Sequence, residues 1–121
     1  MQTADRFEFM KHLPLVCTRY HHAVELIGRR WTGAIIRALL GGPARYAQLR
    51  DAIPDISDRM LSERLHELEG EGLVLRHVAT DAPVRVEYEL TDKGMALEKA
   101  VLAIAEWAER YIPLKKMRDA G

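Results

Sequence analysis

The residues best equipped for chemistry fall into two groups. Cys17 is the only cysteine, and Arg19, His21 and His22 follow it within five positions. A thiol placed just before a helix N-terminus, with cations at hand, is drawn towards the nucleophilic thiolate. Such a thiol could switch the protein by taking up a small thiol or by bridging two subunits. An inert cysteine packed between the first helices is the competing reading. The second group comprises Arg45, Gln48, Ser57, Arg59, Ser62, Arg64, His66, Arg76 and Arg85, with Arg50 as a further cation. Long cations and short hydroxyls are the groups that bond phosphate oxygens and base edges.

Other chemistries find little support. Cys17, His21 and His22 could offer metal ligands, but no second Cys/His cluster exists, and His66 and His77 stand apart. Neither a metal nor a cofactor is expected. The sequence has no nucleophile elbow, phosphate-binding glycine loop or dinucleotide fingerprint, so an enzyme is not expected. Trp31, Trp107 and Tyr111 either line an apolar pocket at a dimer interface for an aromatic effector or belong to the core.

The elements that must position these residues follow from periodicity. A short helix over Asp5–His12 ends before Pro14, and Thr18–Ile27 forms the next, stopped by Gly28. Thr32–Leu40 places Ile35, Ile36, Leu39 and Leu40 on its buried side, and Gly41-Gly42-Pro43 ends it. Tyr46–Ile53 carries Tyr46, Leu49 and Ile53 on one face and closes at Pro54. Ser57 caps a helix over Asp58–Glu71 with the stripe Leu61, Leu65 and Leu68, stopped by Gly72. The period then changes to two. Leu73–Thr80 and Val84–Leu90 form a hairpin about Asp81-Ala82-Pro83, with Val84, Val86, Tyr88 and Leu90 on one face. A long helix runs from Thr91 to about Tyr111, with Leu97, Val101, Ile104, Ala108 and Tyr111 as a stripe widened by Leu102, Ala105 and Trp107.

Two short helices joined tightly and followed at once by a hairpin make a winged helix-turn-helix. The expected fold is mainly α (α+β), with the helix-turn-helix at about 46–71 and a two-stranded wing at about 73–90. Dimerisation helices are expected at about 5–27 and 91–112. The second helix of such a pair enters the major groove with its N-terminal turns against the bases. Ser57, Arg59, Ser62, Glu63 and His66 would face the DNA, and Arg45, Arg50, Arg76 and Arg85 the phosphates. A solvated helix face in a protein-binding winged helix is the alternative. The wide terminal stripe argues for a homodimer, hence a pseudo-palindromic operator in double-stranded DNA, with cover by residues 5–27 of the same chain as the alternative.

Size and charge bound these readings. With 121 residues, 48% hydrophobic and 30% charged, the chain suits one domain. A lone cysteine excludes an internal disulfide framework. No apolar run approaches the roughly 18 residues a membrane span needs, and the first residues lack a signal-peptide layout. A cytoplasmic location without membrane association is expected. Eighteen basic residues balance eighteen acidic ones, unlike a generic nucleic-acid binder. Residues 1–40 carry +3, residues 41–90 carry −4 and residues 91–121 carry +1. DNA binding must therefore depend on where individual arginines point.

The sequence resembles the HxlR-type transcriptional regulators, bacterial winged-helix proteins related to the MarR group. The resemblance runs from Cys17 to about Trp107. It is carried by Leu26-Ile27-Gly28 with Trp31, Leu39-Leu40 with Gly42, Arg45-Tyr46 with Leu49-Arg50, and Ile53-Pro54 with Ile56-Ser57. Leu61, Leu65, Glu67-Leu68-Glu69 and Gly72-Leu73-Val74 with Arg76 continue it, followed by Pro83, Val86-Glu87-Tyr88, Leu90-Thr91, Gly94 and Leu97. The resemblance implies a homodimeric DNA-binding regulator, expected to be a repressor, with Asp58–Glu71 in the major groove and the hairpin on the flanking backbone. It also implies a small-molecule, electrophile or oxidant signal sensed through the cysteine matched by Cys17. Three positions depart from the family pattern: Thr18 stands where proline usually follows the cysteine, Arg59 replaces a common lysine, and Val84 replaces a second wing proline.

Overall fold

The computed structural model describes residues 15–114. In chain order the elements are α1 (Thr18–Ile27), α2 (Thr32–Leu39), β1 (Ala44–Arg45), α3 (Tyr46–Ala52), α4 (Asp58–Gly70), β2 (Val74–Ala79), β3 (Arg85–Leu90), α5 (Asp92–Met95) and α6 (Glu98–Tyr111). The helix expected over Asp5–His12 lies outside the described residues. No helix among those described is long and apolar enough to cross a membrane.

The core is built from helical stripes at the expected spacing. Ile35, Ile36 and Leu39 of α2 and Leu61, Leu65 and Leu68 of α4 are essentially fully buried. Burying each such side chain contributes about 1.5–3 kcal/mol. Leu49, Ile53 and Ile56 join them from α3 and the turn after it, and Leu73, Val74, Leu90 and Val101 close the cluster. By contrast, α1 buries none of its residues within the protomer.

Local signals hold the helix-turn-helix in shape. Between α3 and α4, Asp55 takes a left-handed backbone with φ 69°, and buried Ile53 and Ile56 flank it. Aspartate tolerates that region better than most residues. At the end of α4, Gly72 takes φ 76°, Leu73 N–H donates to Leu68 C=O at 2.9 Å and Gly72 N–H to Glu69 C=O at 3.0 Å. These paired bonds satisfy the last carbonyls and turn the chain directly into β2.

The two-stranded hairpin of the wing forms from β2 and β3 as expected, and the extended pair Ala44–Arg45 docks on the free edge of β3 opposite Tyr88 and Glu87, adding a third strand in the antiparallel order β1-β3-β2. One expectation is corrected. The terminal helix is not continuous from Thr91. One turn, α5, is capped by Thr91 Oγ1, which accepts from Gly94 N–H at 3.1 Å and donates to Gly72 C=O at 2.6 Å. The chain then tightens, with Leu97 N–H on Gly94 C=O at 3.1 Å, before α6 begins. Gly94 sits against the sheet backbone so closely that a Cβ there would lie 2.3 Å from Leu73 O. That contact pins α5 to the sheet, while α6 departs and packs Val101 into the core.

Candidate nucleic-acid interface

Helix α4 is anchored on one side and presents the other to solvent. Ser57 caps it, its Oγ accepting from Met60 N–H at 3.1 Å. That bond occupies a lone pair and leaves the hydroxyl proton available. Arg59 is 86% exposed, and its Nε is 3.3 Å from Glu63 Oε1, an i,i+4 pair on the surface. Pairs of this kind are worth little in water and are readily exchanged for another anion. Ser62 and His66 are exposed on the same helix.

Arg64 takes a different role from the one expected of it. Its side chain is only 15% exposed. Nε donates to Arg30 C=O at 2.9 Å, and Nη1 lies 3.2 Å from Glu67 Oε2. Glu67 also holds Arg29. Arg64 is therefore a strut fixing the α1–α2 turn to α4, because its flank of the helix meets that turn and not solvent.

Helix α3 braces the start of α4. Arg45 N–H donates to Gln48 Oε1 at 2.8 Å, so the Gln48 amide N–H groups stay free to donate. Arg50 Nη1 approaches Asp58 Oδ1 at 3.5 Å, which turns it from a simple phosphate candidate into a tie between the two helices. Tyr46 Oη donates to Asp58 C=O at 2.8 Å and lies 3.1 Å from Ser62 Oγ. Sequence reasoning placed Tyr46 among the apolar residues of α3 and missed this hydroxyl. Only the packing of α3 on α4 brings it to residues 12 and 16 positions away.

The sheet register divides the remaining arginines. Arg76 stands opposite Tyr88, while Arg45 stands opposite Glu87 and Arg85 opposite Ala79. Directly opposed residues share a face and alternate residues switch it. Arg45 and Arg85 therefore share one face of the wing with His77, Glu87 and Glu89, and Arg76 points from the other. His77 Nε2 and Glu89 Oε1 are 3.0 Å apart there.

Cys17 is exposed and is the N-cap residue of α1. The Tyr20 backbone N–H, then the Arg19 backbone N–H and side chain, hold its thiol below the ordinary value. This exposure corrects the reading of a cysteine packed between helices. Among the described residues no cluster of His, Cys, Asp and Glu could hold a metal ion.

Within the protomer the three aromatic residues do not share one pocket. Trp31 packs on the core with Arg30 4.8 Å above its ring, whereas Trp107 and Tyr111 stack on each other at 5.4 Å and are largely exposed. The larger apolar feature is a groove of about 760 Å³ between α1, α2 and α6, lined by Tyr20, Val24, Ile27, Leu97, Val101 and Ile104 among others.

A helix-turn-helix with an arginine-bearing, solvent-facing second helix and an adjoining wing agrees with the comparisons. The sequence model of the HxlR-like helix-turn-helix family matches residues 26–116. The chain belongs to that family. It is 45% identical over 97 residues to the HTH-type transcriptional regulator YvaP of Bacillus subtilis strain 168, covering 80% of this chain and 90% of YvaP. It is 42% identical over 96 residues to the HTH-type regulator YodB of the same organism, covering 79% and 86%. Reduced YodB superposes with a TM-score of 0.73 at 41% identity, covering 81% of this chain and 96% of YodB. The redox regulator HypR in its oxidised form gives 0.75 at 35% identity, covering 79% and 99%. This HxlR-type chain is thus a DNA-binding transcriptional regulator, and not an enzyme.

Proposed function

We propose that this regulator is a homodimeric, cytoplasmic repressor that binds a pseudo-palindromic operator and releases it when an oxidant, an electrophile or another small-molecule effector acts on it, with Cys17 as the sensing residue. The observation that carries the reading is the exposed face of α4, where Arg59 is held only by a surface pair beside Ser57 and Ser62. Arginine in that position reaches the O6 and N7 acceptors of guanine. The exposed, partly activated Cys17 supports a covalent signal. So do the relatives: YodB has been solved reduced, diamide-treated and quinone-bound, and HypR reduced and oxidised. The uncovered groove between α1, α2 and α6 supports a dimer, which would set two copies of α4 about one helical turn of DNA apart.

The test is fluorescence anisotropy of the reduced chain on DNA from upstream of its own gene, across a salt series. Binding well above that of scrambled DNA, with a steep negative salt slope, is expected. Arg59→Ala should cost about 1–3 kcal/mol and relax the preference at one base position, while Arg85→Ala should weaken all sequences alike and flatten the slope by about one. The −4 charge of residues 41–90 favours the second reading, a protein-binding winged helix. No binding to any DNA at low salt would make that the better account.

A further inference from the structure

Tyr46, the first residue of α3, dictates the hydrogen-bonding sense of Ser62 on the neighbouring helix. Its Oη lies 2.8 Å from the Asp58 carbonyl oxygen, 3.4 Å from Asp58 Oδ1 and 3.1 Å from Ser62 Oγ. A phenol has one proton to give. The shortest contact, to a carbonyl that can only accept, takes it. Oη then has only lone pairs left for Ser62, so Ser62 must be the donor of their shared bond. A mid-helix serine otherwise turns its proton to the carbonyl four residues back. Here that carbonyl is Asp58's, whose two lone pairs go to the Ser62 N–H within the helix and to Tyr46 Oη. Ser62 is exposed on the outer face of α4, so with its proton engaged on Tyr46 its Oγ turns lone pairs towards a group outside the protein.

We propose that Ser62, with its proton held by Tyr46, is a specificity-determining acceptor that reads the amino group of adenine or cytosine in the major groove. Guanine and thymine present only acceptors at that edge, as do phosphate oxygens, so pairing with any of the three would require Ser62 to give up its bond to Tyr46. The inference rests on the operator-binding reading above and assigns one base preference within it. Its neighbours have the opposite sense. Ser57 Oγ accepts from Met60 N–H and keeps its proton to donate, and the Gln48 amide is left with donors once its oxygen takes Arg45 N–H. The surface thus offers donors at positions 48 and 57 and an acceptor at 62, and Tyr46 is the positioning residue for the last.

The experiment selects preferred sites from a random duplex DNA pool with the wild-type chain, Tyr46→Phe, Ser62→Ala and Ser62→Thr, and then measures single-base variants of the selected site by anisotropy. Wild type should show one position favouring adenine or cytosine on one strand by roughly two- to tenfold, the worth of one neutral hydrogen bond. Ser62→Ala should lose that preference, and Ser62→Thr, which retains the hydroxyl, should keep it. Tyr46→Phe frees the serine proton, so guanine and thymine should be admitted at that position alone. A merely structural tyrosine would weaken every sequence equally. Identical base profiles for wild type and a folded Tyr46→Phe, or an unchanged preference in Ser62→Ala, would overturn the proposal. A wild-type chain that enriches no DNA would strike down the operator reading itself, and the Ser62 assignment with it.

Discussion

Arg59 and Arg64 lie five positions apart on one helix and share one chemistry, yet only Arg59 is free to leave the protein. Arg64 is spent on Arg30 C=O and Glu67, whereas Arg59 holds a single exposed carboxylate. Residue type marks what a group can bond, and its neighbours decide whether that capacity is still available. The same logic applies to Cys17, where the backbone N–H groups of Tyr20 and Arg19 and the Arg19 side chain favour the thiolate. Because the pKa is lowered, the reactive form persists to lower pH in the folded chain than in the unfolded one. Alkylation by iodoacetamide should therefore rise with pH earlier for native than for denatured protein. Arg19→Ala should move the native curve part of the way back, since the backbone donors stay in place. Coincident native and denatured curves would remove the helix N-terminus from the account.

Among the elements, those with a repeating pattern were legible in the sequence. The stripes Ile35-Ile36-Leu39 and Leu61-Leu65-Leu68 and the alternation along β3 each repeat often enough to reveal a period, and all of them pack as expected. Strand β1 has two residues and so no period to read. The break between α5 and α6 was hidden because the apolar spacing continues through it. Its cause, the approach of Gly94 to Leu73, is a contact between distant segments. Helix-flank positions have the same difficulty: nothing local says that residue 64 meets the α1–α2 turn while residue 59 meets solvent. Two outcomes follow at this scale. Arg64→Ala should cost about 1–3 kcal/mol in chemical denaturation by leaving Arg30 C=O without its side-chain donor and Glu67 with Arg29 alone. It should also weaken DNA binding uniformly, without the base-specific change expected of Arg59→Ala. Gly94→Ala should destabilise by about 1–3 kcal/mol, because backbone must move to admit the methyl group. An unchanged denaturation midpoint for either variant would contradict the role given to that residue.

At the scale of the whole molecule, one apolar face of the protomer is left uncovered by the described residues. Helix α1 buries none of its residues, and exposed Tyr20 and Val24 line one groove with exposed Ile104 of α6. Contiguous exposed apolar surface is the usual mark of an association site. A two-fold axis would present the same surface twice and close it without leaving an open edge. Covering this face would also fix α1, and with it the turn that Arg29, Arg30 and Arg64 fasten to α4. In such a dimer, subunit contact, the segment carrying Cys17 and the helix expected to read DNA would belong to one mechanical unit. Ile104→Glu tests that unit, because residue 104 is 60% exposed and its replacement should leave the protomer fold intact. In sedimentation equilibrium the wild-type chain should show twice its 13.8 kDa mass and the variant a single copy, with unchanged far-UV circular dichroism. The variant should bind a full palindrome no more tightly than one half-site. A wild-type protein that sediments as a monomer, or a charged variant that still dimerises, would mean that this face serves another partner.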